Sequence, residues 1–240
     1  MMTYVYKAPG KLLLAVTILA VPATAIAQQI APPKIPHEKY TLPNGLTVVL
    51  HEEHTTPIVA INIWYHVGSK NERRGRTGFA HLFEHMMFQG SKNHDTDYFK
   101  ALEAIGATDL NGTTNNDRTN YFQNVPSHAL ERALWVDAGR MCCLLSSMTQ
   151  ERLDNQREVV KNERRQGIDN QPYGLVDERM DAAMYPSHHP YSWPVIGYME
   201  DLTAASKPDV ENFFKEYYTP NNCTLVIAGD IDIAKTKAMV

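Results

Sequence analysis

Five apolar side chains at every second position, Val59, Ile61, Ile63, Tyr65 and Val67, restrict this chain more than any other local pattern in it. Period-two alternation puts all five on one face of an extended strand, and that face needs a sheet with one covered side. The neighbouring segments supply partners. Residues 40–42 and 46–51 flank Pro43-Asn44-Gly45, and Asn-Gly between apolar runs is a hairpin signal. Residues 107–115 and 119–125 read as two strands joined by the polar tip Asn115-Asn116-Asp117, and Cys223 to Gly229 (CTLVIAG) as a buried strand. Helical patterns alternate with these: about 79–88 stopping near Gly90, 97–105 ended by Gly106, and 231–240 at the chain end. Ser127 is placed to cap a helix with an apolar stripe of Leu130, Leu134, Ala138 and Met141. Ser147 with Gln150 makes a capping-box pattern opening a helix to about Arg165, and Ser206 with Asp209 another, for a helix to Tyr217. Mixed hairpins and helices give an α+β class, a largely antiparallel sheet flanked by helices.

Composition matters mainly for what it removes. With 43% apolar and 21% charged residues the chain has the material for a real core, which excludes disordered and low-complexity classes. A net charge of -4 with no long Lys/Arg run excludes a nucleic-acid footprint. Three cysteines make no disulfide framework; adjacent Cys142 and Cys143 are poorly placed to bridge, so all three are expected as buried thiols. Residues 1–27 follow another logic. Lys7 and Lys11 precede the apolar run Leu12 to Val21, and Ala25-Ile26-Ala27 offers small residues to signal peptidase. This is a secretory signal pattern cut after Ala27, implying a periplasmic or secreted product. The apolar run is too short to span a bilayer, so no stable membrane span is expected after cleavage. Residues 28–36 read as a Pro-rich leader and 37–240 as the folded domain, with the chain ending inside its last helix.

The chemistry concentrates between Thr77 and Ser91 (TGFAHLFEHMMFQGS), which contains H-x-x-E-H as His81, Glu84 and His85. On a helix, positions four apart share a face about 6 Å apart along the axis, so two imidazoles can converge on one Zn²⁺. Glu84 lies within the same arc without having to be a ligand. Catalytic zinc needs a third protein ligand and an open position, and peptide hydrolysis needs a carboxylate to take a proton from water and hand it on. The helix expected at 148–165 carries Glu151, Asp154, Glu158 and Glu163, and spacing alone does not choose among them.

Six segments in order resemble the pitrilysin/insulysin (M16) family of zinc peptidases, whose motif inverts the common H-E-x-x-H. They are YTLPNGLTVVL (40–50), GFAHLFEHMMFQGS (78–91), NGTTNNDRTNYFQNVP (111–126), REVVKNERRQ (157–166), HPYSWPVIGYMEDL (189–202) and YYTPNNCTLVIAGDID (217–232). The resemblance implies an M16 half-domain of the LuxS/MPP-like metallohydrolase kind and a zinc-dependent metalloendopeptidase binding one Zn²⁺ per chain. It makes Glu163 the third ligand beside His81 and His85, and Glu84 the base that activates the water, then the acid. Glu158 is the rival acid. Many relatives carry an acid where this chain has Gln156.

The resemblance also implies that a peptide substrate adds as a strand along Asn111-Gly112-Thr113-Thr114, which gives loose sequence preference because the bonds are to backbone. Gly112 would allow close approach there; alternatively it only marks a bulge. His66, His94, His128, His188 and His189 have no ligand spacing and are expected to be structural. Family enzymes close the site between two halves, so a second M16-like half is expected in cis or in trans. Two other readings share the motif: a non-catalytic peptide-binding subunit, and an inactive fragment lacking the second half.

Overall fold

The structure, a computed structural model, describes residues 34–240, of which 35–240 form one compact unit. The signal-peptide pattern and most of the leader lie outside the described residues. In chain order the elements are β1 (Glu38–Thr41), β2 (Thr47–Glu52), β3 (Ile58–Tyr65), α1 (Phe79–Met86), α2 (Tyr98–Glu103), β4 (Thr108–Thr114) and β5 (Thr119–Pro126). They continue with α3 (Leu130–Cys143), α4 (Gln150–Arg164), α5 (Val176–Met184), α6 (Met199–Ala204), α7 (Lys207–Tyr217), β6 (Cys223–Gly229) and α8 (Ile233–Met239). Among the described residues no helix is long and apolar enough to cross a membrane.

The six strands form one sheet ordered β1-β2-β6-β3-β5-β4. Every pairing is antiparallel except β2 with β6, so the expected α+β class with a mostly antiparallel sheet holds. Val59, Ile61, Ile63 and Tyr65 are all buried, as the alternation required. Each such side chain contributes roughly 1.5–3 kcal/mol by leaving water, enough to prevent a one-residue slip of β3. Helix α1 lies against β4 and β5 and stacks its own aromatics on α7, Phe83 on Phe214 at 4.9 Å. Strand β4 is left as a sheet edge beside α1.

Four local expectations change. Ser127 caps nothing; residues 127–129 form a 3₁₀ turn before α3. The buried face of α3 carries Ala133, Asp137 and Arg140, while Ala138 is exposed. The reason is a charged pair in the core: Arg140 Nη2 lies 2.7 Å from Asp137 Oδ1 and the guanidinium sits over the rings of Tyr98 (4.0 Å) and Tyr121 (4.6 Å). Tyr98 and Gln123 also donate to the Asp137 carboxylate. Helix α4 is capped by Thr149, whose hydroxyl accepts from Arg152 N–H, whereas the Ser147 hydroxyl donates to the Gly90 and Leu144 carbonyls. The Ser206–Asp209 capping box forms as expected. Of the cysteines only Cys223 is a buried thiol. Cys142 and Cys143 fall off the buried stripe at the end of α3 and are bonded to each other.

Candidate metal centre

Helix α1 opens on Gly78, whose φ of +83° suits glycine and which has no side-chain oxygen to cap the free N–H groups. Glu72, from the preceding loop, supplies the cap. Its carboxylate accepts from Gly78 N–H (3.0 Å) and Ala80 N–H (2.8 Å). Burial pushes its pKa up to about 8, against the opposing pull of those backbone donors. The sequence pattern between Gly68 and Gly78, charged and without periodicity, does not single this residue out. An acid six positions ahead of a helix that begins with glycine was the available signal.

With its start fixed, α1 buries Ala80, Leu82, Phe83 and Met86 in the core and turns His81 and His85 toward the open side. Their rings stand 4.8 Å apart, nearly perpendicular. Helix α4 packs across α1 and brings Glu163 Oε2 to 3.7 Å from His81 Nε2 and 3.4 Å from His85 Nε2. The ligand atoms of the three residues lie within 4.8 Å of one another, the one such group among the described residues. Tetrahedral ligands at about 2.0–2.2 Å from zinc are separated by roughly 3.3–3.6 Å, and the two Glu163 spacings are close to that range. The His81–Glu163 contact is not an ion pair: burial, helped by neighbouring His85, lowers the His81 pKa to about 4, so its imidazole is neutral, the form that binds a metal. His81 Nδ1 is buried without a hydrogen-bond partner among the described residues.

Glu84 lies beside this group but makes no part of it. It is buried, and its Oε2 accepts from the Thr114 hydroxyl on β4 at 2.5 Å. Burial first, then the charge of Glu163, push its pKa up to about 7, while the Thr114 bond and Arg118 pull it down. Gly112 is close by. A Cβ there would meet Phe88 Cζ at 2.9 Å and Glu84 Cγ at 3.0 Å. The bulge in β4 falls earlier, between Thr108 and Asn111, and Gly112 itself pairs in register with Tyr121. Its lack of a side chain therefore makes room for Glu84. Along β4, Gly112 and Thr114 thus touch Glu84. Thr113 bonds Asn120 instead, and the Asn111 side chain accepts from Gly112 N–H. Among the rival acids, Glu158 is exposed and bonded to Lys161 at 2.7 Å. Gln156 is buried two turns ahead of Glu163. Of the remaining histidines none joins the group.

Comparison with known proteins gives a consistent result. Residues 47–195 match the family model for insulinase, peptidase family M16, and residues 204–240 match the one for the M16 inactive domain. The zinc protease PqqE of Helicobacter pylori is 34% identical over 201 residues, covering 83% of this chain and 44% of the relative. A probable mitochondrial-processing peptidase subunit beta of Arabidopsis thaliana is 26% identical over 192 residues, 80% of this chain and 35% of the relative. Among solved structures, a protease from Helicobacter pylori superposes with a TM-score of 0.80 at 33% identity, covering 85% of this chain and 49% of that one. The periplasmic protease PqqL of Escherichia coli gives 0.76 at 22% identity over 87% of this chain and 24% of that one, a likeness of fold. The chain thus spans less than half the length of these relatives.

Proposed function

The chain belongs to the insulinase (M16) family of peptidases, and from that premise we propose that it is the zinc-bearing catalytic half of an exported metalloendopeptidase acting on peptides and unfolded segments. The observation that carries the reading is the convergence of His81, His85 and Glu163 with a buried carboxylate, Glu84, alongside but outside the group. In this reading those three residues hold one Zn²⁺. The ion, when bound, lowers the pKa of a water molecule and polarises the scissile carbonyl. Glu84 takes the water's proton and later delivers it to the departing amine. A carboxylate with a pKa near 7 suits both tasks, and the Thr114 hydroxyl holds it in place. The substrate runs along β4 at Asn111-Gly112-Thr113-Thr114, and the free edge of that strand supports this assignment.

Residues 37–240 act as the catalytic side of a two-half enzyme, and a second M16-like half, in cis or in trans, closes the site. The match of residues 204–240 to the inactive-domain family supports that pairing. The N-terminal pattern ending at Ala27 supports export, as does the periplasmic setting of PqqL. The test is Glu84→Gln. That variant should keep its zinc and lose turnover of an unstructured peptide, and a chelator should abolish the parent's turnover. Cleavage by Glu84→Gln at the parent rate would remove Glu84 from the role.

A further inference from the structure

We propose that Arg164 is a positioning residue for the metal centre: by bonding Gly197 it sets the end of α4 against the start of α1, and so places Glu163 relative to His81 and His85. The inference rests on the reading of those three residues as zinc ligands. They come from two helices, so the site is only as well defined as the register between them. The Glu163 side chain is nearly half exposed, at 44%, so packing around the carboxylate does not fix it. The helix end must do so, and that end is irregular, because residues 165–169 continue α4 as a π turn.

Arg164, the next residue, points the other way and is buried. Its guanidinium reaches three separate segments: the Gly197 carbonyl at 3.0 Å, Glu178 Oε2 on α5 at 2.9 Å and Asp169 Oδ1 at 3.4 Å. Gly197 in turn lies on Gly78, the residue immediately before the zinc helix. A Cβ on Gly197 would stand 2.5 Å from Gly78 Cα and 2.6 Å from Gly78 N, and one on Gly78 would stand 2.7 Å from the Ile196 carbonyl. Both glycines have positive φ, +80° and +83°, so the two backbones meet with no side chain between them. The same segment grips the residue before Gly78. Asp201 accepts from Thr77 N–H (3.1 Å) and from its hydroxyl (2.7 Å), and the Thr77 hydroxyl oxygen accepts from Tyr198 N–H (3.0 Å). A continuous path of close contacts therefore joins Glu163 to His81 through Arg164, Gly197 and Gly78. The planar guanidinium spans the Gly197 carbonyl and the two carboxylates at once, and lysine at 164 keeps the charge but gathers its donors on one nitrogen and loses the fork.

The experiment measures zinc affinity of the purified protein by competition with a chromophoric chelator, with cobalt(II) absorption as a report on ligand geometry. Arg164→Lys should weaken zinc binding by about 10-fold or more, as loss of outer supports does elsewhere, and should change the cobalt spectrum while far-UV circular dichroism stays that of the parent. Gly197→Ala, which forces the segment off Gly78 while leaving arginine at position 164, should act in the same direction; it carries the test if Arg164→Lys does not fold. In a Glu163→Gln background, Arg164→Lys should cost less than twofold, because the ligand through which it acts is gone. Zinc affinity within twofold of the parent in the folded single variant would overturn the proposal, and so would an equal loss in both backgrounds. Should Glu163→Gln itself leave zinc binding unchanged, the ligand assignment fails instead.

Discussion

Adding one methyl group at Gly112 is the sharpest probe of Glu84, the carboxylate proposed as catalytic, because the neighbours that methyl would strike are known. The Cβ would stand 2.9 Å from Phe88 Cζ, 3.0 Å from Glu84 Cγ and 3.2 Å from Glu84 Oε1. Carbon pairs rest at about 3.5–4.0 Å, so one neighbour must move by roughly 0.5–1 Å. Phe88 is poorly able to yield, being stacked on Phe99 at 4.6 Å and set edge-on to Tyr121 at 5.7 Å. Glu84 gives way instead and is drawn off its 2.5 Å bond to Thr114. Backbone strain does not confuse the result, since Gly112 does not have the positive φ that alanine resists. Overpacking of this kind costs about 1–3 kcal/mol, and at roughly 2–4 °C per kcal/mol the melting temperature should fall by several degrees. Misplacing a catalytic group by about 1 Å costs on the order of 100-fold in rate. Gly112→Ala should therefore lose about 30- to 100-fold in kcat on a quenched fluorescent peptide, while zinc content stays at one per chain. A kcat within about threefold of the parent in a folded, zinc-loaded variant would refute the claim that Gly112 exists to seat Glu84.

Three further outcomes follow from named contacts. Glu163→Gln should reduce zinc affinity by at least 100-fold, whereas Glu158→Gln, which loses only a surface pair with Lys161, should leave it within twofold; the same chelator competition decides both. Glu72 titrates near 8 in the folded protein against 4.5 for the free side chain, so the native state holds its proton more tightly. The associated stability is complete below about pH 4.5 and is lost as pH rises toward 8; denaturation of the parent and Glu72→Gln across that range should show a downward slope that the variant lacks. Asp137→Ala strands the buried Arg140 charge and the Tyr98 and Gln123 donors. It should cost about 3–5 kcal/mol, a fall in melting temperature on the order of 10 °C by calorimetry, with zinc affinity unchanged.

What the chain determines by itself is what depends on neighbours a few residues away. The alternation in β3, the Asn-Gly turn with Gly45 at φ +92°, the Ser206–Asp209 box and the four-residue spacing of His81 and His85 are all local, and all were legible. Helix periodicity misled on α3, because a core position can be charged when its partners arrive from elsewhere: Asp137 and Arg140 are buried only because Tyr98, Tyr121 and Gln123 meet them. The cap on α1 was hidden for a similar reason, since Glu72 reaches it across a loop. Spacing offered four acids on α4. The packing of α4 across α1 brings Glu163 to the imidazoles and leaves Glu158 to Lys161. Gly112, expected to let a substrate approach and alternatively to mark a bulge, proves to leave its missing side chain's place to Glu84 and Phe88. Short-range pattern encodes the strands, the turns and the pairing of two histidines on one helix face. Long-range packing selects the third group, because residues 78 positions apart have no period in common and meet only where two helices cross.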